Sequence, residues 1–414
     1  MRIYIEVYGC AANRGDASII EGMLLKEGHE IVENIKDADV AIILTCTVID
    51  TTQQRMIHRI KELKKKGKKL IVAGCMASAQ PEIVKKIGKD IILLPPRDVH
   101  KIVELLNGKK VEVEEKAGLP RKADLRLNVP ISDGCLYSCS YCITKKARGN
   151  LTSYSLDKLV NDIKEAIKNG CKEIRLTSQD TASYGFDAKD YRLPDLINEV
   201  ANIEGEFMIR VGMMHPLSAI KILDELLEAY KNEKVYKFLH LPLQSASPKI
   251  LKEMRRGYTY EMFKEIVDEF RKKFDNLHFA TDIIVAFPGE SEEDFQMTVE
   301  AIKELKPDVV NITRFSPRPN TPAAKMKKLP TQVAKERSRK LTCVVNQISY
   351  ENNLRYVGKI YKALILEEYK EWKVGKIDNY KSVFVDKAEL GKFIKVKTIS
   401  ATSTHLNAIS MEEK

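Results

Sequence analysis

The chain has 414 residues, 44% of them hydrophobic, and a formal net charge of +11 at pH 7. This length predicts two or three domains, and the apolar fraction allows large cores to be buried. No stretch reaches the roughly 18 apolar residues of a membrane span, and eight cysteines in so long a chain argue against a disulfide scaffold. The basic balance favours a polyanionic partner such as nucleic acid.

The first residues, MRIYIEVYGC, enter a strand pattern directly and lack the layout of a signal peptide. We therefore expect a cytoplasmic protein with no membrane partner. In a reducing compartment, cysteines serve metal binding or catalysis more often than disulfide bonds.

Short apolar runs alternate with helical patterns in the first third of the chain. The strand candidates are Arg2–Val7, Val40–Thr45 and Lys69–Ala73, and the helical patterns are Asp16–Lys26 and Thr51–Lys66. This alternation predicts a parallel-sheet α/β domain over residues 1–110. The charged stretch Lys109–Lys122 is interpreted as the linker that leaves it.

Each of these three runs ends at a cysteine, in VYGC, ILTC and VAGC. Cys10, Cys46 and Cys75 therefore occupy equivalent places at the carboxyl edge of three strands, where open α/β sheets bind ligands. The alternative is that the three are buried as small apolar residues. The threefold register favours a shared ligand.

A second alternation of strands and helices follows, over residues 121–350. Its strand candidates are Val129–Ser132, Glu173–Ser178, Phe207–Met213, Lys237–Leu243, His278–Val285 and Asp308–Thr313. Six strands with helical crossovers predict a partial (βα)6 barrel. A further helix runs from Pro330 to about Tyr350, and the Val-, Ile- and Tyr-rich tail, 353–412, predicts a small all-β module of the size that binds oligonucleotides.

The most specific motif is Cys135-x3-Cys139-x2-Cys142, directly after the first strand of this second domain. Soft thiolates select iron–sulfur clusters or zinc. A structural zinc ion wants a fourth protein ligand, and no nearby His or Cys offers one. Three thiolates bind only three of the four irons of a cubane, so the open iron indicates catalysis rather than electron storage.

This spacing resembles the signature of the radical S-adenosylmethionine enzymes. The resemblance implies that the open iron chelates S-adenosyl-L-methionine, and that Tyr141, the aromatic residue before the third cysteine, packs on its adenine; simple loop packing is the alternative. Ser178, Gln179 and Asp180 follow the second barrel strand, where such folds place ligand-binding side chains. The alternative for Ser178 or Asp180 is a helix-capping role. Gln244 is a further candidate for the cavity lining.

Two cysteine triplets in one chain resemble the methylthiotransferases, which join a three-cysteine domain, a radical S-adenosylmethionine core and a C-terminal TRAM-like RNA-binding β-barrel. Five runs resemble the archaeal and eukaryotic branch that acts on N6-threonylcarbamoyladenosine, at position 37 of tRNA. They are KARGNLTSY (Lys146–Tyr154), LTSQDTASYG (Leu176–Gly185), FLHLPLQSAS (Phe238–Ser247), ATDIIVAFPGE (Ala280–Glu290) and SPRPNTPAAKM (Ser316–Met326).

The resemblance implies two 4Fe-4S clusters. The cluster on Cys135, Cys139 and Cys142 would cleave S-adenosyl-L-methionine, and the resulting radical would remove hydrogen from C2 of the adenine, a bond that acid–base chemistry does not activate. The other cluster would deliver sulfur to C2, and a second S-adenosyl-L-methionine would supply the methyl group. The implied partners are tRNA, an electron donor of the ferredoxin or flavodoxin type, and a sulfur source.

Nine Lys or Arg lie between Arg314 and Lys340 with one acid, Glu336, a density that suits phosphate contacts or a solvated surface. Cys171 and Cys343 fit neither triplet and are interpreted as structural. Three alternative functions stay open: methylthiolation of another modified adenosine, methylthiolation of a ribosomal protein side chain, and a non-enzymatic iron–sulfur protein that binds RNA or carries electrons.

Overall fold

The structure, a computed structural model, describes residues 1–187 and 189–411. These residues form two compact units. Unit 1 comprises Met1–Asn169, Arg175–Arg192 and Ser316–Ala324, and unit 2 comprises Gly170–Ile174, Leu193–Phe315 and the chain from Lys325 onward. The domain bounds predicted from the sequence, 1–110, 121–350 and 353–412, stay predictions, and residue 412 lies outside the described residues.

Unit 1 begins with a five-stranded parallel sheet of order β2-β1-β3-β4-β5. Its elements are β1 (Arg2–Val7), α1 (Ala11–Lys26), β2 (Glu30–Val32), β3 (Val40–Thr45), α2 (Asp50–Lys65), β4 (Lys69–Gly74), α3 (Cys75–Ala79), α4 (Pro81–Ile87), β5 (Ile92–Leu94) and α5 (Ile102–Asn107). The three predicted strands are confirmed as β1, β3 and β4. The edge strands β2 and β5 were not predicted, because runs of three residues carry almost no periodic signal.

Strand β3 is buried on both faces, as expected for the centre of a parallel sheet. Successive side chains point to opposite faces, so Ile42 and Leu44 join the core under α1, while Ala41 and Ile43 join the core under α2. The continuous apolar run VAIILT therefore places this strand in the middle of the sheet.

The rest of unit 1 carries the segment around the second cysteine triplet. Its elements are β6 (Arg126–Pro130), β7 (Ser132–Asp133), α6 (Thr144–Arg148), β8 (Thr152–Ser153) and α7 (Leu156–Lys168), followed by β9 (Glu173–Thr177), which begins in unit 2 and ends in unit 1. Strands β7 and β8 form a short antiparallel pair, and the Ile131 amide donates to the carbonyl of Thr177 at 2.9 Å.

Unit 2 continues the alternation of strands and helices. Its elements are α8 (Leu193–Ala201), β10 (Met208–Val211), α9 (Pro216–Ala219), α10 (Leu223–Ala229), β11 (Phe238–His240), α11 (Pro248–Glu253), α12 (Tyr260–Lys273), β12 (His278–Val285), α13 (Glu292–Leu305), β13 (Val309–Arg314) and α14 (Thr331–Leu354). Strands β11, β12 and β13 are parallel neighbours. All six strands predicted for the partial barrel are therefore present, as β6, β9, β10, β11, β12 and β13.

The tail of unit 2 is a closed five-stranded barrel of order β14-β15-β16-β18-β17, which confirms the predicted small all-β module. Its strands are β14 (Ile360–Tyr369), β15 (Trp372–Ile377), β16 (Ser382–Val385), β17 (Phe393–Ala401) and β18 (Leu406–Ser410). Closure leaves the sheet without free edges. Across the described residues, no helix is both long and apolar enough to cross a membrane.

The turn at the end of β4 depends on a glycine. Gly74 has φ of +84°, and a Cβ there would lie 2.7 Å from the carbonyl oxygen of Thr45. Gly67 has a similar φ of +68° with open space around it.

We expect Gly67→Ala to lower the free energy of unfolding by about 1 kcal/mol through the positive φ alone, and Gly74→Ala to lower it by at least about 3 kcal/mol, because a backbone clash adds to that strain. Urea unfolding of both variants checks this, and equal losses would contradict it.

Candidate cluster-binding site

Cys10, Cys46 and Cys75 lie at one edge of the parallel sheet, because they follow the adjacent strands β1, β3 and β4. Cys10 is exposed and precedes the first residue of α1, Cys46 is half-buried, and Cys75 is buried as the first residue of α3. Three thiols far apart in sequence thus share one sheet edge. Their role as cluster ligands stays a prediction.

The thiols of this N-terminal triplet are close enough to affect one another's ionisation. The pKa of Cys75 is raised to about 12, mainly by burial, with the neighbouring Cys10 and Cys46 adding to the shift and Arg148 opposing it. Burial also raises the pKa of Cys46, with Cys10 adding to the shift. Such thiols stay protonated at neutral pH unless a metal displaces the proton.

Asn13, a residue that the sequence analysis did not single out, holds the strand ends together beside Cys75. Its amide nitrogen donates to the carbonyls of Tyr8 and Thr45, both at 2.9 Å. Its amide oxygen accepts from Arg148 Nη2 at 3.1 Å and faces the Cys75 thiol at 3.9 Å. Its position three residues after Cys10 is the one sequence signal that could have identified it.

The second triplet lies on the loop between β7 and α6. The Cys135 amide donates to the carbonyl of Gly149 at 3.2 Å, and the Cys142 amide donates to the carbonyl of Cys139 at 3.1 Å, which folds the loop onto itself. The pKa of Cys135 is raised to about 12, mainly by burial, with the nearby Asp180, Cys139 and Cys142 contributing to the shift. Burial likewise raises the pKa of Cys142, with Cys139 adding to the shift. The three thiols therefore converge.

The donor chemistry of both triplets fits a cubane cluster. Each offers three thiols, the soft ligands that iron–sulfur clusters take. Across residues 1–187 and 189–411, no three His, Cys, Asp or Glu side chains are placed to share a single metal ion. Three thiolates on a cubane bind three different irons, so they need not meet at one point.

The residues expected to contact the cofactor fall in both units. Gln179 lies beside the second triplet, because its side-chain oxygen accepts from the Gly134 amide at 2.8 Å. Asp180 is buried near Cys135, and Ser178 Oγ accepts from the Asp180 amide at 3.0 Å in a local turn. Tyr141 is half-buried within the triplet loop. Their roles at the cofactor stay predictions.

Gln244 belongs to unit 2, in the segment after β11. It has φ of 71°, a left-handed conformation that is uncommon for a residue with a side chain. Its backbone amide donates to the backbone carbonyl of Asp282 at 2.7 Å. The Asp282 carboxylate in turn contacts His240 Nε2 at 3.1 Å and accepts from Asn311 at 2.6 Å. These side chains form a polar cluster at the strands β11, β12 and β13.

Two cations and two carboxylates form a buried charge cluster in unit 1. Arg148 donates to Asp16 at 2.6 Å and to Asp133 at 2.7 Å, and Lys116 bridges the same carboxylates at 2.7 and 2.6 Å. All four side chains are at most 4% exposed. Burial alone would raise the pKa of Asp133, but Lys116 and Arg148 hold it well below its usual range. The two cations and the two carboxylates therefore neutralise one another inside the protein.

This cluster ties the two triplets together. Asp133 lies two residues before Cys135, and Arg148 ends the helix α6 that follows Cys142. Cys75 packs in one apolar cluster with Ile143 and Ala147, the latter on α6. The thiol triplets are therefore neighbours within unit 1. Lys116 comes from the segment interpreted as a linker, and its burial was not predicted.

The basic run after β13 offers less free charge than its sequence suggests. Arg337 is buried in unit 2 and donates to the Glu290 carboxylate at 2.6 Å. Arg318 is buried in unit 1, 3.8 Å from Asp50. These two arginines support the fold rather than present charge to a partner.

Comparison with known proteins agrees with this arrangement. Residues 129–302 match the Radical SAM superfamily, and residues 2–94 match the Uncharacterized protein family UPF0004. A radical S-adenosylmethionine methyltransferase from Kitasatospora setae, solved with cobalamin and a 4Fe-4S cluster, superposes with a TM-score of 0.57 over 78% of this chain and 77% of its own, at 15% identity. The fold is therefore that of a radical S-adenosylmethionine protein.

The family is set by more similar relatives. A probable threonylcarbamoyladenosine tRNA methylthiotransferase from Methanocaldococcus jannaschii is 48% identical over 97% of this chain and 95% of its own length. The Homo sapiens threonylcarbamoyladenosine tRNA methylthiotransferase is 37% identical over 95% of this chain and 71% of its own. The chain belongs to the threonylcarbamoyladenosine tRNA methylthiotransferase family, as the sequence motifs predicted.

The buried charge cluster predicts a pH-dependent stability. Asp133→Asn leaves two buried cations with one carboxylate, so we expect it to lower the free energy of unfolding at pH 7 by about 3–5 kcal/mol. Because the folded-state pKa of Asp133 lies below its unfolded value of about 3.9, its contribution is present above that value and is lost as the pH falls through the folded pKa. The difference in unfolding free energy between Asp133→Asn and the wild type should therefore become smaller below about pH 4.

Asp157→Asn is the matched control, since Asp157 is exposed in the first turn of α7 and its substitution should change the unfolding free energy by less than about 0.5 kcal/mol. Urea titrations at pH 7, 5 and 3.5 measure both variants. An Asp133→Asn protein as stable as the control at pH 7 would show that the cluster does not hold unit 1 together.

Proposed function

We propose that this protein is a radical S-adenosylmethionine enzyme that adds a methylthio group to C2 of N6-threonylcarbamoyladenosine in tRNA. The observation that carries the proposal is the pairing of two three-thiol sets inside unit 1, linked by the buried charge cluster. The names of the relatives support the substrate. Two sites with open irons side by side suit a reaction that both activates a carbon and delivers sulfur to it.

Cys135, Cys139 and Cys142 would hold one 4Fe-4S cluster and leave one iron to bind S-adenosyl-L-methionine. When bound, the cluster and this cofactor supply one-electron chemistry that no side chain provides. The chain's own contribution is placement, because the hydrogen bonds donated by backbone amides of the loop hold the thiols in position. Gln179 and Asp180 lie beside the triplet, where polar groups of the cofactor would find partners.

Cys10, Cys46 and Cys75 would hold the second cluster, the one that carries sulfur. Burial keeps Cys75 protonated in the absence of metal, and the Arg148 guanidinium favours its thiolate. Arg148 therefore helps the buried thiol to lose its proton when a metal binds. Asn13 fixes the strand ends that present Cys10 and Cys46.

The proposed reaction requires partners beyond tRNA. An electron donor of the ferredoxin or flavodoxin type would reduce the radical-generating cluster, and a sulfur source would recharge the other. We propose that the protein works with these partners in the cytoplasm.

Substituting a cysteine of one triplet should abolish different activities from substituting a cysteine of the other. We expect Cys10→Ala to keep reductive cleavage of S-adenosyl-L-methionine but to lose sulfur insertion, because only the sulfur-carrying cluster is damaged. Cys139→Ala should lose both. Anaerobic reconstitution with iron and sulfide should give about eight irons per chain in the wild type and about four in each variant. Nucleoside mass spectrometry of threonylcarbamoylated tRNA and assay of 5′-deoxyadenosine report the two activities.

Cys343→Ala is the control, since Cys343 is exposed on α14 and lies outside both triplets; it should retain iron and both activities. Full methylthio product from Cys10→Ala would refute the role of the N-terminal triplet. Methylthio groups found on a ribosomal protein instead of tRNA would refute the substrate but leave the cluster assignments intact.

A further inference from the structure

Unit 2 contains a polar cavity of about 480 Å³ where the C-terminal ends of α12 and α14 lie near the start of the barrel strand β14. Four cations line it: Arg271, Lys306, Arg355 and Lys359. The half-buried ring of Tyr361 forms part of its wall. Neither the thiol triplets nor the polar cluster around Asp282 contributes a residue to this cavity.

The positive charge of the cavity is largely uncompensated. Two carboxylates line it, and that of Asp308 is neutralised by Lys381 at 2.8 Å, with both side chains 5% exposed. Asp275 is the other. Within the part of the chain that the structure describes, no carboxylate lies within salt-bridge distance of the four lining cations. The lining therefore carries an excess of about three positive charges.

The two arginines are held in place without being neutralised. Arg355 Nη2 donates to the side-chain oxygen of Asn352 at 2.8 Å. Arg271 Nη2 donates to the carbonyl of Leu305 and, at 3.3 Å, to that of Lys306. These oxygens carry no formal charge. The bonds fix each guanidinium and leave its charge and its remaining N–H groups for another acceptor.

Favourable interaction with helix ends explains only part of this arrangement. Arg271 lies in the last turn of α12, and Lys306 and Arg355 follow the ends of α13 and α14, where cations offset the helix dipole. Lys359 lies beyond α14 and caps no helix.

We propose that this cavity binds phosphate groups of the RNA backbone, which gives unit 2 its own contact with the substrate tRNA. The inference rests on the proposed function, because that function supplies the RNA. Guanidinium forks match phosphate oxygens in two parallel hydrogen bonds, while lysines act as point charges. The Tyr361 ring offers a flat surface for an adjoining sugar or base.

The test compares two double charge reversals in the full-length, cluster-loaded protein. Arg355→Glu/Lys359→Glu alters the cavity, and Lys26→Glu/Lys252→Glu makes the same change of charge at exposed lysines elsewhere. We expect the cavity variant to bind tRNA at least about tenfold more weakly at 0.1 M salt and to reduce the slope of log K against log salt by about one to two. The control should match the wild type in both. Fluorescence anisotropy of labelled tRNA measures these quantities.

Two further measurements separate the possible failures. Cleavage of S-adenosyl-L-methionine without RNA should be unchanged in the cavity variant, and its melting temperature should fall by no more than a few degrees, the cost of reversing the cation at the end of α14. These results would show that the variant is folded and loaded. Titration with inorganic pyrophosphate tests for a site that takes small phosphates only.

Equal tRNA affinity and salt slope in the cavity and control variants would overturn the proposal and leave the proposed function standing. Loss of pyrophosphate binding with unchanged tRNA binding would overturn the assignment to RNA backbone. A wild-type protein that binds no tRNA would overturn both this inference and the proposed substrate.

Discussion

Two carboxylates, Asp16 and Asp133, share two cations in the interior of unit 1, and this shared bond pattern sets the geometry of the thiol triplets. Taking four charges out of water costs several kcal/mol for each ion. That cost is offset only when every oxygen finds its donor, at the 2.6 to 2.7 Å seen here. A shift between α1 and the loop of the second triplet would leave buried charges unpaired. The arrangement therefore tolerates one relative placement of the two triplets.

The parallel sheet supplies the other constraint. Because β1, β3 and β4 are neighbours in register, the residues that follow them must emerge at one edge. Close packing then sharpens the positions: a Cβ on Gly9 would lie 3.0 Å from the Cβ of Cys46, and a Cβ on Gly74 would meet the backbone of Thr45. Sheet order brings the thiols together, and the glycines and Asn13 fix how closely the strand ends approach.

The features that could be predicted from the sequence are those with a local periodicity or a fixed spacing of residues. The buried strands, the long helices and the closed tail barrel are regular enough to be read from alternation of apolar residues, and the cysteine spacings carried the family. The charge cluster could not be predicted in this way. Lys116 and Asp16 are 100 residues apart, and a lysine in a charged stretch gives no sign that it will be buried. The three-residue edge strands β2 and β5 were missed because so short a run has no period.

Charge in this protein shows why composition alone cannot locate a binding surface. Arg318 and Arg337 belong to the most basic run of the sequence, yet both are buried, and Arg337 is neutralised by Glu290. The cations of the unit 2 cavity come from three separate stretches of chain, around Arg271, Lys306 and Arg355–Lys359, that no short sequence window would group. A polyanion responds to charge that remains unpaired after folding, and that quantity depends on partners chosen by the fold. For this reason the cavity around Arg271 and Arg355, rather than the basic run, is the stronger candidate for contact with the RNA backbone.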